Sequence, residues 1–233
     1  MMKNETNNRG SAAPSHQRTH EQSHAEITLN HFETIYRNLD PQEIASRCKV
    51  SFDGSAFSFT IMGNAHRALF PDFKLLAVER DPLGVEKSYE IEKPFEKMLF
   101  LRYLCEGRYV EPLGKQLSYR EIPWGNLYFP NFEGRCIKRL ARSFGNNLEA
   151  FRKIMEETHG LKAEKLDTSD AGYRFDFFNG LCMSFLIWAG DDEFPPSAQI
   201  LFDDNFPQAF TAEDIAVVGD LAVERLKSLA SAL

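Results

Sequence analysis

The sequence predicts an α+β fold, a single domain with helices packed against an antiparallel sheet. Three observations carry this. First, helical and alternating patterns come in segregated runs: helix, strands, helices, strands, helix. Second, short turn signals such as "PD", "DPLG" and Asn179-Gly180 join the strand runs, as in hairpins. Third, 233 residues with 43% hydrophobic and 26% charged side chains suit one core and are short for two domains.

Residues 1–24, "MMKNETNNRGSAAPSHQRTHEQSH", hold almost no apolar side chains. Burial there cannot offset the entropy of ordering, so a disordered tail is predicted, with the domain spanning 25–233. His16, His20 and His24 recur every fourth residue. Nothing anchors a helix there, and no metal is assigned to them. In 25–39, Ile27, Phe32, Ile35, Tyr36 and Leu39 follow helical spacing. A short helix follows over 40–48, with Asp40 as N-cap and Pro41 at the first helical position. "GSAFSFTIMG" (54–63) changes to period two. With "HRALF", "FKLLAVER" and "SYEIEK" it predicts an antiparallel meander over 54–93.

Pro94 opens a helix to Gly107, which is expected to close it in the left-handed conformation. That helix is apolar nearly all round and belongs at the centre of the core. Arg102 interrupts its apolar surface and is expected to pair with Glu106, four residues on. The prolines and glycines of 108–130 break any long element. Helices are then predicted over 131–145 and 147–160, each ended by glycine. Strands resume with "KAEKLD", "GYRFDFF", "LCMSFLIWAG" and "SAQILFD", and Asn179-Gly180 forms a type I′ turn. Thr211 and Asp214 resemble a capping box opening the last helix.

Several classes are disfavoured. A net charge of −7 argues against nucleic acid as the main partner. No run reaches the roughly 18–20 apolar residues of a membrane helix, and the polar N-terminus lacks the apolar core of a secretory signal. A cytoplasmic protein is the expectation. Cys48, Cys105, Cys136 and Cys182 form no CxxC pair and are expected as buried free thiols. There is no GxGxxG, P-loop, G-x-S-x-G or H-E-x-x-H motif, and His31, His66 and His159 stand isolated. The sequence indicates no cofactor and no oligomeric state.

Two blocks carry a family resemblance: "FLRYLCEGRYVEPLGKQLSYREIPWGNLYFPNF" (100–132) and "FLIWAGDDEFPPSAQILFDDNFPQAFTAEDIAVVGDLAVERL" (185–226). The chain resembles the prokaryotic family called domain of unknown function 3786. The shared pattern is an apolar "YL" helix, a serine–aromatic–arginine stretch before a proline and glycine, W-x-G-D-x-E-F-P-P, I-L-F-D and T-x-E-D-I. The resemblance implies a setting in anaerobic prokaryotic metabolism and carries no assigned chemistry. Some relatives have an added iron–sulfur segment, and this chain lacks its cysteine run.

Three constellations invite chemistry. "WAGDDEFPPSAQILFDD" (188–204) concentrates Asp191, Asp192, Glu193, Asp203 and Asp204. A strand of about 20 Å separates a turn group, 191–193, from a strand-end group, 203–204, so they do not converge on one ion. In "SYREIPWG" (118–125), Arg120 can clamp an anion and Trp124 can stack on a planar ligand. Arg135, Lys138, Arg139 and Arg142 form a basic helix stripe, read as a solvated face that the acids of the next helix partly neutralise. The leading reading is an accessory domain binding a small ligand or a protein. Its pocket is expected where the 118–125 loop meets the 188–193 turn, with Arg102, Ser118, Arg120, Trp124, Trp188, Asp191 and Glu193 as candidate contacts. The alternatives are a carboxylate enzyme, with or without a divalent metal, using the 191–193 turn with Arg120, and a purely structural or interaction protein.

Overall fold

The computed structural model describes residues 15–81 and 83–233, with side chains from Glu26 onward except His159. Residues 1–14 of the predicted tail, and the side chains of His16, His20 and His24, lie outside the described residues. Residues 15–24 belong to the first helix, α1 (Ser15–Arg37), a correction to the predicted tail. Adding a turn to an existing helix is far easier than nucleating one, so the apolar-anchored part can extend into polar sequence.

α2 (Pro41–Cys48) opens as its sequence requires, with the Asp40 carboxylate accepting from Gln42 N at 2.8 Å. β1 (Ser51–Phe52), β2 (Ala56–Ile61), β3 (Asn64–Leu69), β4 (Leu75–Arg80) and β5 (Glu86–Glu90) form the expected meander. α3 (Pro94–Glu106) buries Leu99, Phe100, Leu101, Tyr103 and Leu104. Gly107 then departs from expectation: it is extended, at φ −69 and ψ 160. Its role is close approach, because a Cβ there would meet the Ala209 carbonyl oxygen at 2.7 Å.

β6 (Gln116–Ser118) leads to α4 (Gly125–Phe132), which begins six residues before the predicted helix. Pro130 sits inside it. Proline lacks the N–H for the helical ladder, and three residues further on the path widens into a π turn at Glu133–Ile137. Lys138 N bonds back to Glu133 O there, and α5 (Lys138–Phe144) continues the path. α6 (Leu148–Glu157) is capped by Asn147. β7 (Glu164–Leu166), β8 (Ala171–Phe178), β9 (Leu181–Trp188), β10 (Ser197–Asp203), α7 (Phe206–Ala209) and α8 (Ala212–Ala230) complete the chain. Asn179 and Gly180, at φ 49 and 93, make the predicted hairpin turn.

The ten strands among the described residues form one antiparallel sheet in the order β5-β4-β3-β2-β8-β9-β10-β6, with β1 beside β2 and β7 beside β8. The meander joins the rest at one narrow seam, Ile61 against Phe178, where Met62 N donates to Phe177 O at 2.8 Å. Strand alternation sends Phe59, Tyr173, Phe175, Met183, Phe185, Ile200 and Phe202 to the helix-covered face, and all are buried. Phe100 of α3 packs on Phe59 and Phe178, with ring centroids 5.7 and 5.2 Å apart. The other face is polar. Arg174 donates twice to Asp203, at 3.2 and 2.6 Å, and Gln116 Nε2 donates to Ser184 Oγ at 2.5 Å. Cys182 lies on this face and is only partly buried, unlike the other three free cysteines.

Candidate functional site

The fold brings α3, the 122–125 turn and the entry to α8 around a cavity of about 310 Å³. Arg102, Glu106 and Gly107 come from α3 and its end, Ile122, Pro123 and Trp124 from the turn, and Pro207–Ala212 with Asp214 from the chain entering α8.

The turn is built to project Trp124. Gly125 N donates to Ile122 O at 2.8 Å, and Trp124 has φ 67 and ψ 0. These are the closing bond and third-residue dihedrals of a type II turn, a place normally held by glycine or asparagine. Gly125 is required next, since a Cβ would lie 1.8 Å from the Tyr119 carbonyl oxygen. Tyr119 is itself fixed, stacked on Phe132 at 4.0 Å and donating its hydroxyl to Ala212 O at 2.7 Å. Burial pushes its phenol pKa up, so it stays a neutral donor. With the backbone held on both sides, the indole stands outward, 78% exposed at the cavity mouth.

Arg102 supplies the charge. Its partner is Asp214, at 3.0 Å, and not the predicted Glu106. The capping box explains the exchange. Thr211 N and Oγ1 donate to Asp214 Oδ2 at 3.2 and 2.7 Å, which aims Oδ1 at α3. Glu106 stays exposed at the rim. The Arg102 guanidinium also lies over the Phe32 ring, 5.6 Å from its centroid. Its Nε is buried without a hydrogen-bond partner. Among the described residues the bond to Asp214 is its one hydrogen bond, of five N–H groups it carries.

The other predicted contacts are placed elsewhere. Ser118 donates its hydroxyl and its N–H to Glu121 Oε2, both at 2.7 Å, and so caps a short 3₁₀ turn. Arg120 stacks on Phe129, 3.5 Å from the ring centroid. Trp188 ends β9 opposite Ser197. Asp191 accepts from Glu193 N and Phe194 N at 2.9 and 2.7 Å, an Asx turn. Those N–H groups lower its pKa. None of the 188–193 residues lines the cavity, so the 118–125 loop meets the α8 entry there rather than the acidic turn. Asp203 and Asp204 sit at the far end of β10, Asp203 on Arg174 and Asp204 accepting from Leu113 N at 2.9 Å. Among the described residues no three His, Cys, Asp or Glu side chains group to hold a metal.

The basic stripe is tied down by α8 rather than by α6. Arg135 and Arg139 meet Asp220 at 2.8 and 2.5 Å, and Arg139 also meets Glu224. Sequence reasoning missed Asp214 as a cavity residue. Its capping pattern was visible, but a cap leaves the direction of the second carboxylate oxygen open. No helix among the described residues is long and apolar enough to cross a membrane.

No curated protein matches the chain, and no solved structure does. The family described as "Domain of unknown function (DUF3786)" matches residues 40–225, which takes in the meander, the cavity and most of α8. The chain belongs to that family.

Proposed function

We propose that the protein is a noncatalytic accessory domain that binds a small planar molecule in the cavity between Trp124 and Arg102. One observation carries the reading: an exposed indole and an incompletely hydrogen-bonded guanidinium line the same cavity. The indole offers a stacking face, and the guanidinium offers donors to an acceptor edge such as a carboxylate or ring carbonyl. The lining includes no histidine, cysteine, serine or lysine, and Asp214 is engaged by Arg102 and Thr211. That supports binding over turnover. The carboxylate-enzyme alternative gains nothing from Asp191 and Arg120, which are used in a turn and a ring stack. The metabolic setting proposed is the anaerobic prokaryotic one implied by the family resemblance.

The test uses the Trp188→Phe protein, in which Trp124 is the sole tryptophan. Nucleotides, pterin- and flavin-type heterocycles, aromatic carboxylates and tetrapyrroles are titrated while emission and melting temperature are followed. A binder is expected to quench Trp124 saturably and raise the melting point. Arg102→Met is expected to weaken it about tenfold, the worth of one charge-assisted hydrogen bond. If no compound does either, the small-ligand reading falls.

A protein partner is the second reading, favoured by Leu127 and Tyr128. They follow Trp124 at three and four residues, and Leu127 is 71% exposed. A self-associating surface would show as a dimer in light scattering that Trp124→Ala dissolves.

A further inference from the structure

A second cleft, of about 290 Å³, opens between the meander and the helices that cover it. Its floor is the inward face of β2, β3 and β4, with Ile61, His66 and Ala77. One wall is the start of α3, with Lys93 and Glu96, and the other is the last part of α8, with Leu221 and Arg225. It is separate from the Trp124 cavity and shares no lining residue with it.

His66 is the unusual member. It is 6% exposed and lies parallel to the Phe59 ring, 6.3 Å between centroids. Its Nδ1 is 2.9 Å from the Asn64 carbonyl oxygen. A carbonyl only accepts, so Nδ1 carries the proton and Nε2 presents a lone pair. That lone pair has no hydrogen-bond partner among the described residues. Nε2 keeps some solvent exposure and lines the cleft, so it is open to a donor that enters there.

Charged side chains, most of them exposed, surround it. Glu96 is half-buried and close enough to Lys93 and Arg225 to feel both charges, yet it forms an ion pair with neither. Glu79 and Lys93 have no ion-pair partner among the described residues. Arg225 spends one N–H on Asn64 Oδ1, at 3.0 Å. Glu224, also in the wall, is taken by Arg139. Two cations, Lys93 and Arg225, and three carboxylates, Glu79, Glu96 and Glu224, thus line one cleft, together with an apolar group that includes Ile61, Ala77, Ile91, Phe177 and Leu221.

We propose that this cleft binds a small α-amino acid with an apolar side chain. The carboxylate meets Arg225 and Lys93, the ammonium donates to His66 Nε2 and Glu96, and the side chain lies on Ile61, Ala77 and Leu221. A zwitterion can meet both signs of charge at once, where a simple anion or cation meets only one. The volume is at the small end of ligand cavities, about 300–1,000 Å³, and fits a metabolite rather than a nucleotide cofactor. Burial and the Arg225 charge hold the His66 pKa below its ordinary value, which keeps the imidazole neutral and accepting at neutral pH.

Calorimetry on the full chain tests this with three probes: L-leucine, 3-methylbutylamine and 4-methylpentanoate. Leucine is expected to bind saturably. The amine and the acid, each lacking one charge, are expected to bind at least about tenfold more weakly. Arg225→Met and Glu96→Gln, both away from the packed core, are each expected to weaken leucine by about tenfold with melting unchanged. Trp124 emission is expected to stay constant on leucine addition, so failure here leaves the Trp124 cavity untouched. The proposal is overturned if leucine and other apolar amino acids show no saturable binding at about 10 mM. It is also overturned if the acid or amine binds as tightly as leucine, or if both variants bind leucine unchanged.

Discussion

Arg102 and Asp214 meet 3.0 Å apart although 112 residues separate them in the chain, and they pin α3 to the first turn of α8. The pair is mostly withdrawn from water, with the Asp214 side chain 9% exposed. Asp214 serves twice, as cap and as counter-ion. Asp214→Ala therefore removes a cap and strands a guanidinium, and is expected to cost about 3 kcal/mol. Arg102→Met keeps the cap but leaves the Asp214 carboxylate with only its Thr211 bonds, and should cost about 2 kcal/mol, less than losing pair and cap together. Urea denaturation of the two variants checks the order.

Trp124 gives the opposite sign. A left-handed non-glycine residue costs about 1–2 kcal/mol, and glycine loses part of that gain through its freer unfolded chain. Trp124→Gly is expected to stabilise the protein by roughly 0.5–1 kcal/mol while removing the stacking face. Trp124→Ala keeps the strained dihedral and should bring no such gain. Melting curves of both variants, read beside ligand titrations, test whether stability and binding trade off at this turn.

His66 sets a pH dependence. Its folded pKa lies below the unfolded value near 6.5, so the unfolded chain binds more protons between the two. Stability is expected to fall as pH drops through that window and to level off below the folded pKa. Of the charged groups lining its cleft, Arg225, Lys93, Glu79, Glu96 and Glu224, Arg225 opposes its protonation. His66→Phe should flatten the profile below about pH 6.5, measured by denaturant midpoint at each pH.

The acidic stretch 188–204 divides by consequence as well as by place. Asp203 is 5% exposed and paired with Arg174, so Asp203→Ala is expected to cost about 3 kcal/mol. Asp191 holds a surface turn, and Asp191→Ala should cost about 1 kcal/mol. Divalent metal added to either variant should leave its melting temperature where it is in buffer. A metal-dependent rise in the parent protein that Asp191→Ala abolishes would contradict this reading of the turn.

Much of the architecture was legible because local chemistry and fold agree. Asp40-Pro41, Asn179-Gly180 and Thr211 with Asp214 each name their own cap or turn, and the structure keeps all three. The helix through Pro130 was not legible, because a proline breaks a helix on local rules. Trp124 was picked out as a stacking residue, but its exposure depends on the Gly125–Tyr119 contact. Arg102 was picked out by its apolar neighbours, and its partner was misjudged because i,i+4 spacing favours Glu106 while the tertiary fold delivers Asp214. His66 looked isolated in sequence, since the residues sharing its cleft come from segments up to Ser228.

α8 touches both cavities. Its first turn carries Asp214 against Arg102, and its last third carries Arg225 beside Asn64 and His66. Both sit on one continuous helix of 19 residues, about 28 Å long, and are about 16 Å apart along its axis. An axial slip of that helix cannot alter one cavity and spare the other. One rigid helix thus supplies a wall to each of two separate cavities, and its register along the sheet fixes the depth of both.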